Sequence, residues 1–293
     1  TTALYDRFVN QGAVMGDSFG LENVLWFANN KEDAHEEPTI KRSRSHDYVS
    51  KEVINVRENV GLIEVANFSK HEFKGPDARK FLDHIMAGRL PKPGRISLSP
   101  MLSYRGKLCG DLTVACLDEN EFMVFGSGAA QEMHRRWFES HLDKFNLSYS
   151  NRSDEYHGLS IAGPNSRKVL EKIVRDDVSN EKFKFRDSRR MFVGGVPAII
   201  NRISFTGELG YEIYVAPHYQ LKLYEELMEA GKEFNIKPFG GRALMSMRLE
   251  KNWGAWTLDY RPDFTAKETG LDVFINWDKE FIGKESAQKE NSS

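Results

Sequence analysis

The sequence contains few cysteines. Cys109 and Cys116 are the two that occur among 293 residues, and both lie in an apolar run that predicts a strand. Residues seven positions apart on one strand point to opposite faces, so the pattern predicts no disulfide between them. Scarce, unpaired cysteines are typical of a reducing compartment. We therefore expect a cytoplasmic protein, with the mitochondrial matrix as the alternative.

An excess of charge of one sign is also lacking. The chain carries 41 basic and 43 acidic residues, a net charge of −2. Domains that bind nucleic acid usually carry a strong basic excess, so we expect no nucleic-acid partner. No apolar stretch approaches the roughly 18 residues of a membrane span, and we expect no membrane association. The first residue is Thr1 instead of methionine, which we interpret as a sign of processing or of a longer parent protein.

Common catalytic and metal-binding motifs are incomplete. Residues 16–20 match the Gly-x-Ser-x-Gly elbow of serine hydrolases, but the residues before them are too few and too polar for a buried strand. Residues 126–131 resemble a dinucleotide-binding loop without its third glycine, which favours a tight turn. No histidine forms a close metal-binding pair with another histidine or a cysteine, so we predict no metal. We interpret His134 and His141 as part of a solvated helix surface.

Helical and strand-like periodicities mix along the chain and predict an α+β protein. Hydrophobic residues are 40% of the sequence and aromatic residues 12%, enough for a packed core. Residues 1–50 are predicted to be irregular, with a charged surface excursion at 29–38. Helices are predicted over 49–58, 76–87, 129–145, 164–174, 219–234 and 241–251, and strands over 60–66, 96–103, 111–116, 121–125 and 156–161, with several more within 182–215.

One segment recurs along the chain. Residues 75–82, Gly-Pro-Asp-Ala-Arg-Lys-Phe-Leu, return as Gly-Pro-Asn-Ser-Arg-Lys-Val-Leu at 163–170. The recurrence predicts an internal duplication. The alternative is two unrelated helices that share a start signal.

Three further stretches carry a family resemblance. Residues 60–78, 101–114 and 202–212 resemble, in order and spacing, the aminomethyltransferase (T-protein) family of the glycine cleavage system. The resemblance extends from about residue 4 to residue 288. It implies a pseudo-duplicated α+β fold with mixed and antiparallel sheets, flanking helices and one folate cavity. We expect residues 1–50 and 51–150 to form its first half and 151–288 its second, without the β-rich C-terminal domain that relatives have.

The end of the chain points to one branch of that family. Residues 242–251, Arg-Ala-x-x-Ser-x-Arg-x-Glu-Lys, and residues 281–287 resemble dimethylglycine and sarcosine dehydrogenases. The resemblance implies that an upstream flavin domain or subunit oxidises an N-methyl amine, and that this module transfers the resulting iminium or formaldehyde unit to tetrahydrofolate, giving 5,10-methylenetetrahydrofolate. No flavin-binding glycine motif is visible here. The alternatives are a folate-dependent demethylase or methyltransferase acting on another small-molecule methyl donor, and a folate-binding protein without catalysis.

Asp111 is the predicted catalytic residue. It begins an apolar strand, where a carboxylate is costly unless it has a partner or a task. The resemblance implies that it faces the folate nitrogens, where a carboxylate could take a proton and stabilise a cationic intermediate. The alternative is a turn aspartate that accepts backbone N–H bonds.

Glu212 is the predicted pterin-reading residue. One carboxylate can accept the two adjacent N–H donors of a pterin edge as a charge-assisted pair. The alternative is a solvated glutamate on the outer face of a strand. Phe205 and Leu98 stand where relatives carry tyrosines, so the resemblance implies packing surfaces without hydroxyls.

Four more residues are cofactor-binding candidates. Ser127 follows a predicted strand, and Arg242 and Arg248 could bind the glutamate tail of folate. Trp26 could stack on the pterin ring. For both arginines the alternative is a structural ion pair, and for Trp26 it is a place in the core.

Overall fold

A computed structural model describes residues 1–18 and 20–291. Those residues form helices and strands along most of the chain. The helices are α1 (Tyr5–Asn10), α2 (Ser45–Glu58), α3 (Ala78–Ile85), α4 (Gln131–Glu139), α5 (Ser166–Ile173), α6 (Gln220–Gly231), α7 (Gly241–Glu250) and α8 (Lys284–Asn291). The strands are β1 (Ala13–Ser18), β2 (Leu21–Phe27), β3 (Val60–Glu64), β4 (Phe68–Lys74), β5 (Arg95–Leu102), β6 (Leu108–Asp118), β7 (Glu121–Ser127), β8 (Ser148–Asn151), β9 (His157–Ala162), β10 (Ser188–Val193), β11 (Val196–Asn201), β12 (Gly210–Val215) and β13 (Ile236–Pro238).

The chain folds into two compact units. Unit 1 comprises residues 1–67, 154–185 and 190–253, and unit 2 comprises residues 68–153, 186–189 and those from 254 onward. One boundary, at 153/154, lies close to the predicted division at residue 150. The units nevertheless interleave along the chain, whereas the sequence predicts consecutive halves. The single folate cavity remains a prediction.

Unit 1 is built on a six-stranded sheet in the order β10-β11-β12-β9-β3-β13. Side chains alternate along its central strands, so Tyr211, Ile213 and Val215 of β12 point into one hydrophobic core. That core also takes the apolar faces of α5 and α6, including Val169 and Leu223. The other face of β12 is left for Glu212.

Unit 2 is built on a five-stranded sheet in the order β5-β6-β7-β4-β8. Leu112 and Val114 of β6 point into a core that includes Phe81 of α3 and Phe138 of α4. The residues that alternate with them on β6 face the other way. Asp111 is one of these.

The two sheets repeat one topology. In unit 2 the succession β4-α3-β5-β6-β7 places β4 beside β7, and in unit 1 the succession β9-α5-β10-β11-β12 places β9 beside β12. The recurring segments begin alike, because Gly75 and Gly163 have φ of 135° and 129°. An added Cβ would stand 2.8 Å from the Leu147 backbone at the first and 2.4 Å from the Val56 carbonyl oxygen at the second. The predicted α+β fold with internal duplication is confirmed.

The first fifty residues are more regular than predicted. They hold α1, the antiparallel hairpin of β1 and β2, and the start of α2. The hairpin was not predicted because its turn contains residues typical of irregular loops: the Gly20 N–H donates to the Asp17 carboxylate at 2.9 Å, with Gly20 at φ 83°. The elbow motif at 16–20 lies in this hairpin and leads into a strand, not a helix. The charged excursion at 29–38 is irregular, as predicted.

Candidate active site

Three of the predicted site residues share one face of the unit 2 sheet. Asp111 on β6 lies opposite Pro100 on β5, and its neighbour Thr113 lies opposite Leu98 on β5 and Phe125 on β7. Directly opposed and alternate residues point to the same side of a sheet. Leu98, Asp111 and Ser127 therefore lie on the face opposite the helix-covered core.

Asp111 has the electrostatics of a titratable group. Burial raises the pKa of its carboxyl to about 7, and a hydrogen bond from its own backbone N–H opposes that rise. Part of the side chain is still open to water, although protein surrounds it closely. A carboxylate with a pKa near neutrality can both accept and return a proton at physiological pH. The turn-aspartate alternative accounts for its N–H partner but not for the raised pKa.

Glu212 occupies a buried polar face of the unit 1 sheet. It is 7% exposed and lies opposite Ser160 on β9 and Asn201 on β11, both of which are also buried. The Tyr214 hydroxyl, two residues along the strand, donates to Glu212 Oε2 at 2.8 Å. The alternative of a solvated glutamate is therefore wrong. Instead, a carboxylate is held on a polar face, where an uncompensated charge would be costly.

A basic residue lies near Glu212. Burial lowers the pKa of Lys251, and the charge of Glu212 partly opposes that shift. The Lys251 ammonium donates to the Ser204 carbonyl at 2.9 Å, and its methylene groups pack beside Gly207. Phe205 lies between these contacts, partly buried in the bend that joins β11 to β12. Phe205 thus lies in the bend that leads into β12, the strand of Glu212.

Trp26 and Arg242 are brought together by an acid that the sequence did not single out. The Trp26 indole N–H donates to one oxygen of Glu36, and Arg242 donates to the other at 2.6 Å. Arg242 also donates to the Ser45 hydroxyl at 2.6 Å. Trp26 is 1% exposed and its ring stacks on Tyr48 at 5.0 Å. These contacts match the structural alternatives for both residues, and their folate contacts stay predictions.

Arg248 is also engaged within the protein. It is 5% exposed, on α7, and its guanidinium donates to the Trp253 carbonyl at 2.9 Å. The contact orders the chain just after the helix. A role for Arg248 in binding folate stays a prediction.

The prediction for His134 is wrong. It is 1% exposed and lies in the unit 2 core near His71, with 6.2 Å between the ring centroids. The buried residues of α4 are His134 and Phe138, and the buried Ala130 lies just before the helix. Their spacing of four residues was a usable signal, but the aromatic Trp137 drew the prediction toward the neighbouring face. His141 is partly exposed, but it follows the end of α4 at Glu139 and so does not lie on the predicted helix surface.

Two kinds of feature are absent from residues 1–18 and 20–291. Within those ranges, no three or more His, Cys, Asp or Glu residues are grouped so that they could hold a metal ion. Within the same ranges, no helix combines the length and apolar character required to cross a bilayer.

Comparison with known proteins identifies the family. Residues 4–279 match the GCVT N-terminal domain, and the chain belongs to that family. Human mitochondrial dimethylglycine dehydrogenase is 34% identical over 98% of this chain, which spans 34% of that protein's length. An aminomethyltransferase of Desulfitobacterium hafniense is 29% identical over 99% of this chain and 75% of that protein. The crystal structure of glycine cleavage system aminomethyltransferase T from Bartonella henselae shares the fold, with a TM-score of 0.84 at 22% identity, covering 99% of this chain and 74% of that one.

Proposed function

We propose that this chain is an enzyme that transfers a one-carbon unit to tetrahydrofolate. The unit is the iminium or formaldehyde carbon released when an N-methyl amine such as dimethylglycine or sarcosine is oxidised, and the product is 5,10-methylenetetrahydrofolate. Membership of the GCVT family and the similarity to dimethylglycine dehydrogenase support this choice. The observation that carries it is the buried Asp111 carboxyl, whose pKa near 7 suits repeated proton transfer.

The residues on the polar face of unit 1 fit a pterin. Glu212 is buried, lies between Ser160 and Asn201, and keeps a fixed orientation through Tyr214. A carboxylate so placed can accept two adjacent N–H donors from one ring edge. Phe205 lies in the bend that leads into the strand of Glu212, and Leu98 and Ser127 share the face of Asp111.

The chemistry can be assigned to the protein's own groups. Tetrahydrofolate supplies, when bound, the two amine nitrogens that take up the one-carbon unit. The Asp111 carboxylate accepts the proton that a nitrogen must lose as its bond to carbon forms, and the resulting acid returns a proton to the departing amine. The ionised carboxylate also stabilises the positive charge of an iminium. No net oxidation occurs in this step, so the oxidation belongs to a separate flavin domain or subunit.

The partners of the protein follow from the separation of the oxidation step from the transfer step. The small-molecule donor is the iminium made by a flavin-containing domain or subunit. We place the activity in the cytoplasm, with the mitochondrial matrix as the alternative; the human relative is named as mitochondrial.

The test supplies the chain with tetrahydrofolate and a flavin amine oxidase that makes the iminium from sarcosine. We expect 5,10-methylenetetrahydrofolate to form faster than in a blank without the chain, which controls for spontaneous condensation of formaldehyde. Asp111→Asn should lower the transfer rate by about 100-fold or more, the usual contribution of an acid–base group. Calorimetry should show tetrahydrofolate affinity changed by less than about threefold, because the variant keeps the shape of the side chain.

Three outcomes would contradict the proposal. Unchanged transfer by Asp111→Asn would show that the Asp111 carboxylate is not catalytic. Formation of 5-methyltetrahydrofolate with a sulfonium, methoxy or methylamine donor would favour the folate-dependent demethylase. Tight binding of tetrahydrofolate without transfer from any donor would favour a folate-binding protein without catalysis.

A further inference from the structure

The imidazole of His134 contacts the strand of Asp111 from its core side. His134 Nε2 lies 2.9 Å from the carbonyl oxygen of Cys109, two residues before Asp111. A carbonyl can only accept a hydrogen bond, so Nε2 carries the proton and donates it. His134 lies on the core side of the sheet, and Asp111 points to the opposite face.

Two glycines mark how closely this ring approaches the sheet. A Cβ added to Gly110 would stand 2.8 Å from His134 Nε2, and one added to Gly126 would stand 3.2 Å from His134 Cε1. Gly110 precedes Asp111 on β6, and Gly126 precedes Ser127 on β7. One imidazole edge therefore lies against the backbone of two strands, each time one residue before a candidate site residue.

Within the part of the chain that the structure describes, the imidazole of His134 has one hydrogen bond, through Nε2. Among residues 1–18 and 20–291, Nδ1 of His134 has no hydrogen-bond partner. Burial lowers the pKa of His134 to about 4, although the bond to Cys109 opposes the shift, so the ring is neutral at physiological pH. The Cys109 bond is the polar contact that fixes the rotation of the ring.

We propose that His134 is a positioning residue that sets the placement of the Asp111 carboxylate by holding the Cys109–Gly110 backbone. This inference rests on the proposed function, in which Asp111 carries the proton. Loss of the donor would let β6 relax away from α4. The Asp111 side chain would then lie at a different depth on the opposite face.

Substitutions can separate the donor from the bulk of the ring. Glutamine places its amide nitrogen about where histidine has Nε2, so His134→Gln keeps a donor toward Cys109. Asparagine places its amide nitrogen near Nδ1, so His134→Asn does not reach that carbonyl. Gly110→Ala adds a methyl group on β6 that displaces the His134 ring from the Cys109 carbonyl. His71→Leu is the matched control, because His71 is equally buried in the same core but its Nδ1 bonds to the Tyr149 hydroxyl, not to β6.

The first readout is the pKa of Asp111 in the ligand-free protein, measured by carboxyl ¹³C NMR titration. We expect His134→Asn and Gly110→Ala to lower that pKa from about 7 toward the ordinary 3.8 by about one unit or more, because the carboxylate gains water. His134→Gln and His71→Leu should leave the pKa unchanged. A purely structural role for His134 would not produce this pattern.

The second readout is transfer to tetrahydrofolate, judged under conditions where each variant is folded. We expect His134→Asn to lower kcat by about 10- to 100-fold, the range for misplacing a reacting group by about 1 Å. The KM for tetrahydrofolate should change by less than about threefold, and His134→Gln should restore kcat. If His134→Asn does not fold, Gly110→Ala decides the question with the same two readouts.

The inference is overturned if the folded His134→Asn variant, or Gly110→Ala in its place, keeps both the Asp111 pKa and kcat. If Asp111→Asn has already abolished transfer, such an unchanged variant refutes only the positioning role of His134, and the proposed function is unaffected. If Asp111→Asn transfers normally, the proposed function fails first. In that case the NMR titration still shows whether His134 controls the Asp111 carboxyl.

Discussion

The two units share the order of four strands, but the candidate acid on each sheet is held differently. In unit 1, Glu212 accepts a hydrogen bond from Tyr214 and lies between two buried polar residues. In unit 2, burial raises the pKa of Asp111 to about 7, and its own backbone N–H only partly opposes that. A hydrogen-bonded carboxylate is suited to recognition, and one near its titration point is suited to proton transfer. This difference is what the proposed function requires, with Glu212 binding the pterin and Asp111 transferring the proton.

The largest expected effect tests whether Glu212 binds tetrahydrofolate. Glu212→Gln replaces one acceptor oxygen with a donor that faces the ligand's N–H groups. Because bonds to charged groups contribute roughly 1.5–3 kcal/mol, tetrahydrofolate affinity should fall by about 100-fold. Calorimetry measures the affinity, and Asp111→Asn serves as the control that should keep it. Equal losses in the two variants would show that the acids do not divide the work.

Acid should affect two buried groups in opposite directions, and His71 is the one in unit 2. Burial lowers its pKa to about 3, so its folded state prefers the neutral ring. The stability linked to that preference is present above pH 6.5 and is lost as the pH falls toward 3. Relative to the wild type, His71→Leu should therefore gain about 2 kcal/mol between pH 7 and pH 5. Urea unfolding at both pH values measures this gain. No change would mean that folding does not shift the pKa of His71.

Glu52 reports on unit 1 with the opposite sign. Its oxygens accept the N–H groups of Phe27 at 2.7 Å and Gly240 at 2.9 Å, and burial raises its pKa to about 7. A raised pKa means that the linked stability is present below pH 4.5 and is lost as the pH rises through 7. Relative to the wild type, Glu52→Gln should lose about 2 kcal/mol between pH 7 and pH 5. The same sign for both variants in urea unfolding would refute the contrast.

The next effect is a tenfold change in the transfer rate with pH, which tests whether Asp111 acts as the base. If Asp111 accepts a proton as a carboxylate, the rate at saturating tetrahydrofolate should rise with pH around a midpoint near 7. The ionised fraction of such a group grows about tenfold between pH 6 and pH 8. The residual activity of Asp111→Asn should not show this rise. A rate that falls with pH in this range would assign the acid form to the first step.

The sequence predicted the candidate site mainly through the family resemblance. The resemblance implied the roles of Asp111 and Glu212, and the pattern of residues supplied only their setting in an apolar or alternating strand. Leu98 also came from the resemblance, whereas Ser127 was a candidate that follows a predicted strand; strand register places both on the face of Asp111.

What the sequence could not predict depends on contacts between distant segments. The Trp26 and Arg242 side chains meet at Glu36, which lies in an irregular stretch without periodicity. Glu52 lies within a predicted helix, and its bonds to the backbone of two other segments have no local signal. His134 faces the core because α4 packs on two strands that each bear a glycine at the contact. Each of these contacts depends on tertiary packing, which helical spacing alone does not determine.

The smallest expected effect tests whether Glu212 depends on its hydrogen bond for orientation. Tyr214 is 1% exposed, and Tyr214→Phe keeps the ring while removing the hydroxyl that donates to Glu212 Oε2. The carboxylate loses one restraint worth about 1 kcal/mol, so tetrahydrofolate affinity should fall by about fivefold. Tyr211→Phe is the matched control, because Tyr211 lies on the same strand with its ring in the core on the opposite face. Calorimetry should show no change for that variant. A loss in Tyr214→Phe as large as in Glu212→Gln would mean that the hydroxyl, and not the carboxylate alone, contacts the ligand.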